Sequence, residues 1–522
     1  MDSRNRRRAA GTTLALLTLV ALVLRGYGLG RLDFWYDEIV LWEYSLTGNV
    51  LFVPTEAPLM SWLVLAAMWW TGSAEALVFH LVPAALGTLA VPLTFFLVSK
   101  ASGSRLTGLV GAALVTLSPM AIHYSREGRP YALLMILSAA AYAALYWARQ
   151  GGNRWAWPAF SLSVFLCSMT HLLAAHLVLV AAVHATLELL RPPLEREAFW
   201  RRVPLFLRAG VFAALGWIPG TLWFLQRYRT DPAFDTTVGK VLDTLYPHGL
   251  LAFGRDVIVN LGGGASGSRF EMPWQAPEWV GLGSLLLVVA GLVRLARKGE
   301  SELLSLLGLA ISIPLVIEFA TLGWKGSFDW MRYLSHLLIP YLTLAALGIA
   351  AGLERVRSPA AASLLALLLL AALAPRSVRY VERPEYQTYR AIATHLRENR
   401  EQLAGVLIPP TVHHLGSADR RITHIYHYLK RETLPVYLLV DGTLRPAALE
   451  PSRGGITELA RPGDDAVTGL PSGRYAILVR RQFASCEEVP SWIEGLDVTA
   501  GKRSDPIPGL VICDLENASR HP

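Results

Sequence analysis

Charge is scarce in this chain. Only 17% of its 522 residues are Asp, Glu, Lys or Arg, against 53% hydrophobic, and the mean hydropathy is +0.38, which is too apolar for an ordinary soluble protein of this length. Cysteine is also scarce, with three in all, so no disulfide scaffold supports the fold. Cys167 lies in an apolar segment, and only Cys486 and Cys513 could pair, in an oxidising compartment. No zinc-ligand or P-loop spacing, heptad, solenoid period or low-complexity tract is present. The net charge of +8 does not mark a nucleic-acid binder, because the basic residues cluster in short loops between apolar segments, the positive-inside pattern of membrane proteins.

Long apolar runs fill the chain instead, among them Gly11–Leu24, Leu77–Val98, Leu106–Ile122 and Ser358–Ala374. A helix needs about 20 mostly apolar residues to cross a bilayer. The first run continues into more apolar chain without a small-residue cleavage signature, so it reads as a retained helix. Arg4, Arg6, Arg7 and Arg8 before it keep the N-terminus in the cytoplasm. Lys100 with Arg105, Arg149 with Arg154, Arg191–Arg202, Arg294–Lys298 and Arg355 with Arg357 can all be inside loops only if Leu59–Trp70 does not cross. That segment is short, follows Pro58 and carries Trp62, Trp69 and Trp70, which suits a helix lying in the interface.

Eleven spans follow, near 10–29, 76–99, 106–123, 131–148, 155–170, 172–190, 203–226, 277–296, 302–323, 333–352 and 358–374. The expected architecture is a polytopic α-helical membrane domain over 1–375, with outer-face loops at 30–75 and 227–276, and a soluble extracytoplasmic α/β domain over 376–522. Strands are expected at 405–408, 436–440 and 475–479, and helices at 389–397 and 422–430. The loop after span seven is glycine-rich at 262–267 and long enough to act as a lid.

In this topology the outer face collects Phe34-Trp35-Tyr36-Asp37-Glu38, then Glu56-Ala57-Pro58-Leu59, the tract His123-Tyr124-Ser125-Arg126-Glu127-Gly128-Arg129-Pro130-Tyr131, Met169-Thr170-His171, and Phe328-Asp329-Trp330-Met331-Arg332-Tyr333. Acids and arginines at a membrane boundary cost desolvation energy unless they pair or face water. Their recurrence on one face implies a shared polar site, whereas any one alone reads as an interfacial anchor. Histidines 176 and 184, deeper in the sixth span, read as interhelical hydrogen-bonding groups.

This ordered set resembles the GT-C glycosyltransferases, and more narrowly the bacterial branch related to protein O-mannosyltransferases (family 39) and to the lipid A aminoarabinose transferase. The resemblance runs over about residues 10–375, and the 123–131 tract is its most specific part. It implies transfer of a sugar, with inversion, from a polyprenyl-phosphate donor to a lipid, glycan or protein acceptor on the outer face of the cytoplasmic membrane. Asp37 matches the family's probable catalytic base, with Glu38 beside it. At 56–59 the family usually has His-Pro-Pro-Leu or Glu-Lys-Pro, so Ala57 removes one phosphate contact.

The chemistry of the residues fits that resemblance. A polyprenyl phosphate leaves without a proton, so its growing charge needs cations and donors. Arginine's planar fork binds phosphate oxygens in pairs. Arg129 and Arg332 are the first candidates, and Arg126 and Tyr131 the lesser ones. An acceptor hydroxyl must lose a proton to a carboxylate, the role expected of Asp37. Glu127, Glu56, Tyr333 and His171 are expected to support the site, with Glu127 orienting Arg129 or holding the acceptor. A divalent metal is compatible but not required: Asp37, Glu56, Glu127 and His171 could converge, though their spacing defines no geometry. Two other classes remain open, a lipid or sugar transporter or flippase and a non-catalytic envelope scaffold. Broken-helix repeats would mark a transporter, and an Asp37→Asn change without phenotype would mark a scaffold.

Overall fold

The computed structural model describes residues 3–32, 34, 38, 58–73, 75–151, 153–193, 195–228, 278–321 and 334–355, single positions 374, 377, 378 and 398, and eight strands between 405 and 517. The chain divides into two compact units, one of residues 1–30 and 51–383 and one of residues 31–50 and 384–522.

The first unit is helical. Its helices are α1 (Ser3–Gly26), α2 (Pro58–Thr71), α3 (Ala76–Ser102), α4 (Arg105–Leu117), α5 (Pro119–Tyr124), α6 (Tyr131–Arg149), α7 (Ala156–Ser168), α8 (Ala174–Leu189), α9 (Arg196–Tyr228), α10 (Glu278–Arg297), α11 (Ser301–Thr321) and α12 (Leu338–Leu353). Among the described residues, six helices are long and apolar enough to cross a membrane, so the chain is a multi-pass membrane protein. Each expected span up to 333–352 overlaps a helix, and the last, 358–374, lies outside the described residues except at position 374.

One expected span breaks. The run 106–123 is interrupted at Ser118, whose backbone is extended (φ −69°, ψ 117°), and α5 begins afresh at Pro119. Proline disfavours helical backbone in the residue before it and has no N–H to donate. The Ser118 hydroxyl caps the new helix by accepting from the Ala121 N–H at 3.2 Å. Elsewhere the helices tolerate proline, with Pro83 and Pro92 both inside α3, as neighbouring groups in a membrane bundle allow.

Helix α12 is the centre of the bundle: the 334–353 segment is buried nearly throughout, whereas most of the N-terminal segment 7–31 is not. Small residues let α12 approach α10 closely. A Cβ at Gly348 would stand 1.9 Å from the Leu287 carbonyl oxygen, and one at Gly291 would stand 2.1 Å from that of Leu344. Each glycine thus faces the backbone one turn before the other, the close crossing that small residues permit in membrane helices. At one end of the bundle Arg149 joins three helices, bonding Glu302 of α11 at 2.7 Å and reaching Glu188 of α8 at 3.9 Å.

The second unit contains a six-stranded sheet in the order β3-β2-β1-β6-β8-β7, from β1 (Gly405–Ile408), β2 (Val436–Val440), β3 (Thr443–Ala447), β6 (Gly473–Arg480), β7 (Val498–Ile507) and β8 (Leu510–Asn517), and a separate pair β4 (Leu449–Pro451) and β5 (Thr457–Leu459). Strand β1 runs parallel to both β2 and β6, and the remaining pairs are antiparallel. The apolar β1 and the Tyr475–Val479 run of β6 take central places. Pro446 falls on edge strand β3, and Lys502, Arg503 and Asp505 on edge strand β7, which is also bulged. Proline and charge belong at sheet edges because they discourage further pairing. The expected strands 405–408 and 436–440 are present, and 475–479 lies within β6. The expected helices 389–397 and 422–430 lie outside the described residues, as does Cys486.

Candidate active site

The break at Ser118 creates the site's foundation. In an unbroken helix the Val115 carbonyl would accept from residue 119, which is proline and cannot donate. Arg25 of α1 donates to it instead through Nη2 at 2.9 Å and reaches the Thr116 carbonyl through Nη1 at 3.5 Å. The Ser377 hydroxyl takes the Leu117 carbonyl at 2.6 Å. Arg25 is fully buried, and its Nε donates to the Ser125 hydroxyl at 3.2 Å, which in turn donates to the Ala121 carbonyl. Three freed carbonyls and a guanidinium therefore fix where the next turn begins.

That turn holds the 123–131 tract, buried throughout. Arg126 Nη1 donates to the Leu24 carbonyl at 3.1 Å and the Tyr27 carbonyl at 2.7 Å, closing the end of α1. His123 and Glu127, one helical turn apart, meet at 3.0 Å. Gly128 lies against the Phe79 ring, 1.6 Å from where a Cβ would stand, so no side chain fits there. The Arg129 guanidinium stands 5.9 Å from the centre of the Tyr131 ring, within reach of a cation–π contact. Tyr131 also meets the rings of Tyr124 at 5.2 Å and His171 at 6.0 Å.

His171 lies in the turn between α7 and α8, where its Nδ1 accepts from the Leu173 N–H at 3.2 Å. The same turn is tied to α2, because the Leu59 N–H donates to the Met169 carbonyl at 2.9 Å. Arg126, Glu127, Arg129, Tyr131 and His171 are thus gathered at one end of the helical unit by α5, α6 and the α7–α8 turn. Glu127 meets His123, a partner not foreseen from the sequence, although an acid four residues after a histidine was visible there. Arg126 has part of its guanidinium committed to the backbone of α1. Glu38 belongs to the second unit and is buried, 2% exposed. Asp37, Glu56, Arg332 and Tyr333, with Trp35 and Tyr36 and nearly all of the 227–276 loop, lie outside the described residues.

The interhelical reading of the two deeper histidines holds. His184 Nδ1 pairs with the Ser305 hydroxyl of α11 at 3.0 Å, and His176 Nδ1 with Nε2 of His336 at 3.2 Å. Glu318 of α11 faces His176 at 3.9 Å. Glu318 and His336 were missed from sequence, though a single acid within an apolar run is a signal in its own right. For a metal, Asp37 and Glu56 are outside the described residues, and Glu127 and His171 already have the partners named above. Among the described residues no group of three or more His, Cys, Asp or Glu has metal-holding geometry.

No protein-family model and no curated protein matches the chain. Solved structures do. The apo structure of ArnT from Cupriavidus metallidurans superposes with a TM-score of 0.54 at 14% identity, over 97% of this chain and 98% of that one. A structure of the same protein bound to undecaprenyl phosphate gives 0.50 at 14% identity, over 96% and 97%. The Archaeoglobus fulgidus oligosaccharyltransferase with Zn and sulfate gives 0.50 at 12% identity, over 80% of this chain and 61% of that one, so this chain spans under two thirds of the archaeal chain. The chain has the fold of the GT-C glycosyltransferases. Within that class the superposition on ArnT takes in nearly the full length of both chains.

Proposed function

We propose that this protein is a glycosyltransferase of the cytoplasmic membrane that takes a sugar from a polyprenyl-phosphate donor and passes it to a hydroxyl of a lipid, glycan or protein acceptor on the outer face. The observation that carries the reading is the likeness to GT-C glycosyltransferases in fold, together with a buried cationic and aromatic end of the helical unit at 123–131. The similar protein bound to undecaprenyl phosphate supports the donor class.

In the reaction the acceptor oxygen attacks the anomeric carbon, the bond from that carbon to the phosphate oxygen breaks, and the hydroxyl proton passes to the Asp37 carboxylate. Polyprenyl phosphate departs with the bonding electrons. Arg129 and Arg332 hold its oxygens, where charge grows in the transition state, and Arg126 and Tyr131 contribute lesser donors. Glu38, Glu56, Tyr333 and His171 line or support the site, and Glu127 fixes the turn that carries Arg129. The membrane domain is assigned to 1–375 with loop 227–276 as a lid, and the outer domain to 376–522. Should a divalent metal take part, Asp37, Glu56, Glu127 and His171 are the residues that would hold it.

The test is donor binding to the purified protein with undecaprenyl-phosphate-linked sugars. Arg129→Ala and Arg332→Ala should each weaken donor binding about tenfold or more, the scale of one lost charge-assisted pair, while the protein keeps its thermal stability. Unchanged donor affinity in both would remove the phosphate-holding role.

A further inference from the structure

Two helices of the bundle run side by side in the same direction. The Trp157 ring of α7 stacks on Phe212 of α9 at 5.8 Å. Farther along, a Cβ at Gly216 would stand 2.4 Å from the Ser161 carbonyl oxygen, and one at Gly220 would stand 2.1 Å from the Ser168 hydroxyl. Residue numbers rise together along the contact, so its Trp157–Phe212 end lies at the start of α7. A short turn returns the chain from α7 into α8, which puts Glu188, near the end of α8, at that same end of the bundle.

About one turn before the stacked pair, each strand of this contact carries an arginine. Arg154 precedes α7 and lies over the Trp155 ring at 5.5 Å, and Trp155 is 64% exposed. Arg208 is exposed on α9, four residues before Phe212. Packed helices have axes about 8–10 Å apart, and arginine side chains reach along a surface on flexible apolar stems, so both guanidiniums can meet one anion.

The other cations nearby are already engaged. Arg149 bonds Glu302 and reaches Glu188, Arg191 reaches Glu188 at 3.6 Å, and Arg201 reaches Glu197 at 3.9 Å. Arg202 donates to the Arg191 carbonyl. Arg154 and Arg208 have no acid partner among the described residues, so positive charge at this level lacks a counter-charge. An apolar stripe leads away from it: Leu207, Val211, Leu215, Ile218 and Leu222 of α9 are each about half exposed or more, as is Leu162 of α7. Exposed cations and an indole at the head of apolar helix faces are the groups that meet lipid headgroups.

We propose that Arg154 and Arg208, with Trp155 beside them, bind the phosphate of one anionic phospholipid whose acyl chains lie along the exposed apolar faces of α7 and α9. Paired guanidinium donors fit phosphate oxygens. A zwitterionic headgroup brings its own ammonium to the two arginines, whereas an anionic headgroup brings no competing cation, so the site selects net negative charge. The proposal does not depend on the transferase reading.

The experiment strips the purified full-length protein of lipid in an uncharged detergent. It then follows lipid adducts by native mass spectrometry during titration with phosphatidylglycerol or with phosphatidylcholine of the same chains. Wild type should bind one phosphatidylglycerol at least about tenfold more tightly than phosphatidylcholine. Exchanging Arg154 and Arg208 together for Gln should remove that preference. Arg201→Gln should keep it, because Arg201 already faces Glu197. Glycerol phosphate, which has the phosphate without the chains, should not displace the lipid at equal concentration. The proposal is overturned by an absent preference in wild type, an unchanged preference in the double variant, an equal loss in Arg201→Gln, or full displacement by glycerol phosphate. If the double variant does not fold, Arg154→Gln and Arg208→Gln decide singly: each should cut the preference at least about threefold, and two unchanged single variants contradict the site.

Discussion

Arg25 shows how a single residue can matter without touching substrate. Its guanidinium takes the Val115 carbonyl that Pro119 leaves without a donor and reaches the Thr116 carbonyl freed by the break, and a buried acceptor left unsatisfied costs roughly 1–3 kcal/mol. Arg25→Met should therefore lower the melting temperature markedly, and Arg25→Lys, with a compact ammonium in place of the fork, should recover only part of it. Thermal unfolding in detergent measures both, and a stable Arg25→Met protein would show that the break at Ser118 needs no such cation. Gly128 permits a comparable test. A Cβ there would overlap the Phe79 ring, so Gly128→Ala must push α3 away from the turn at a cost of about 1–3 kcal/mol. The tract was legible in sequence as chemistry, but Arg25 was not: an arginine near the end of an apolar run reads as an anchor, and only the fold shows it reaching α4, some ninety residues on.

At the scale of elements, the crossing of α10 and α12 rests on Gly291 and Gly348, each against the other helix's backbone. Gly348→Leu should separate the two helices and reduce folded yield in the membrane more than Gly352→Leu, since nothing lies within 4 Å of a Cβ at position 352. Size-exclusion profiles of the two variants, compared directly, check this, and equal yields would place the crossing elsewhere. Helix existence was largely legible, because apolar runs with basic loops leave few alternatives. The split at Ser118-Pro119 was not read, although the proline was visible, since prolines at 83 and 92 sit inside an intact helix. Local sequence does not reveal whether neighbours will satisfy the freed carbonyls. In the second unit the apolar strands β1, β2 and β6 were readable as short runs, while the order of the sheet arises from pairings between segments far apart in sequence.

For the molecule as a whole, the fold is that of the GT-C glycosyltransferases, and the proposed chemistry depends on acids and arginines from separate segments serving one reaction. The order of motifs in the sequence pointed to this class, and the superposition on ArnT at 14% identity supports it at the level of the fold. The sugar and acceptor are not encoded in so short a list of polar groups, since they depend on the shape of the cavity around them. The most direct measurement is transfer from a panel of undecaprenyl-phosphate-linked sugars in proteoliposomes, wild type against Asp37→Asn. Wild type should release undecaprenyl phosphate and form a glycosylated product, and Asp37→Asn should insert and fold normally but lose at least about a hundredfold in rate, the contribution of a positioned base. Equal turnover by the two proteins would contradict the assignment of Asp37 and with it the proposed mechanism.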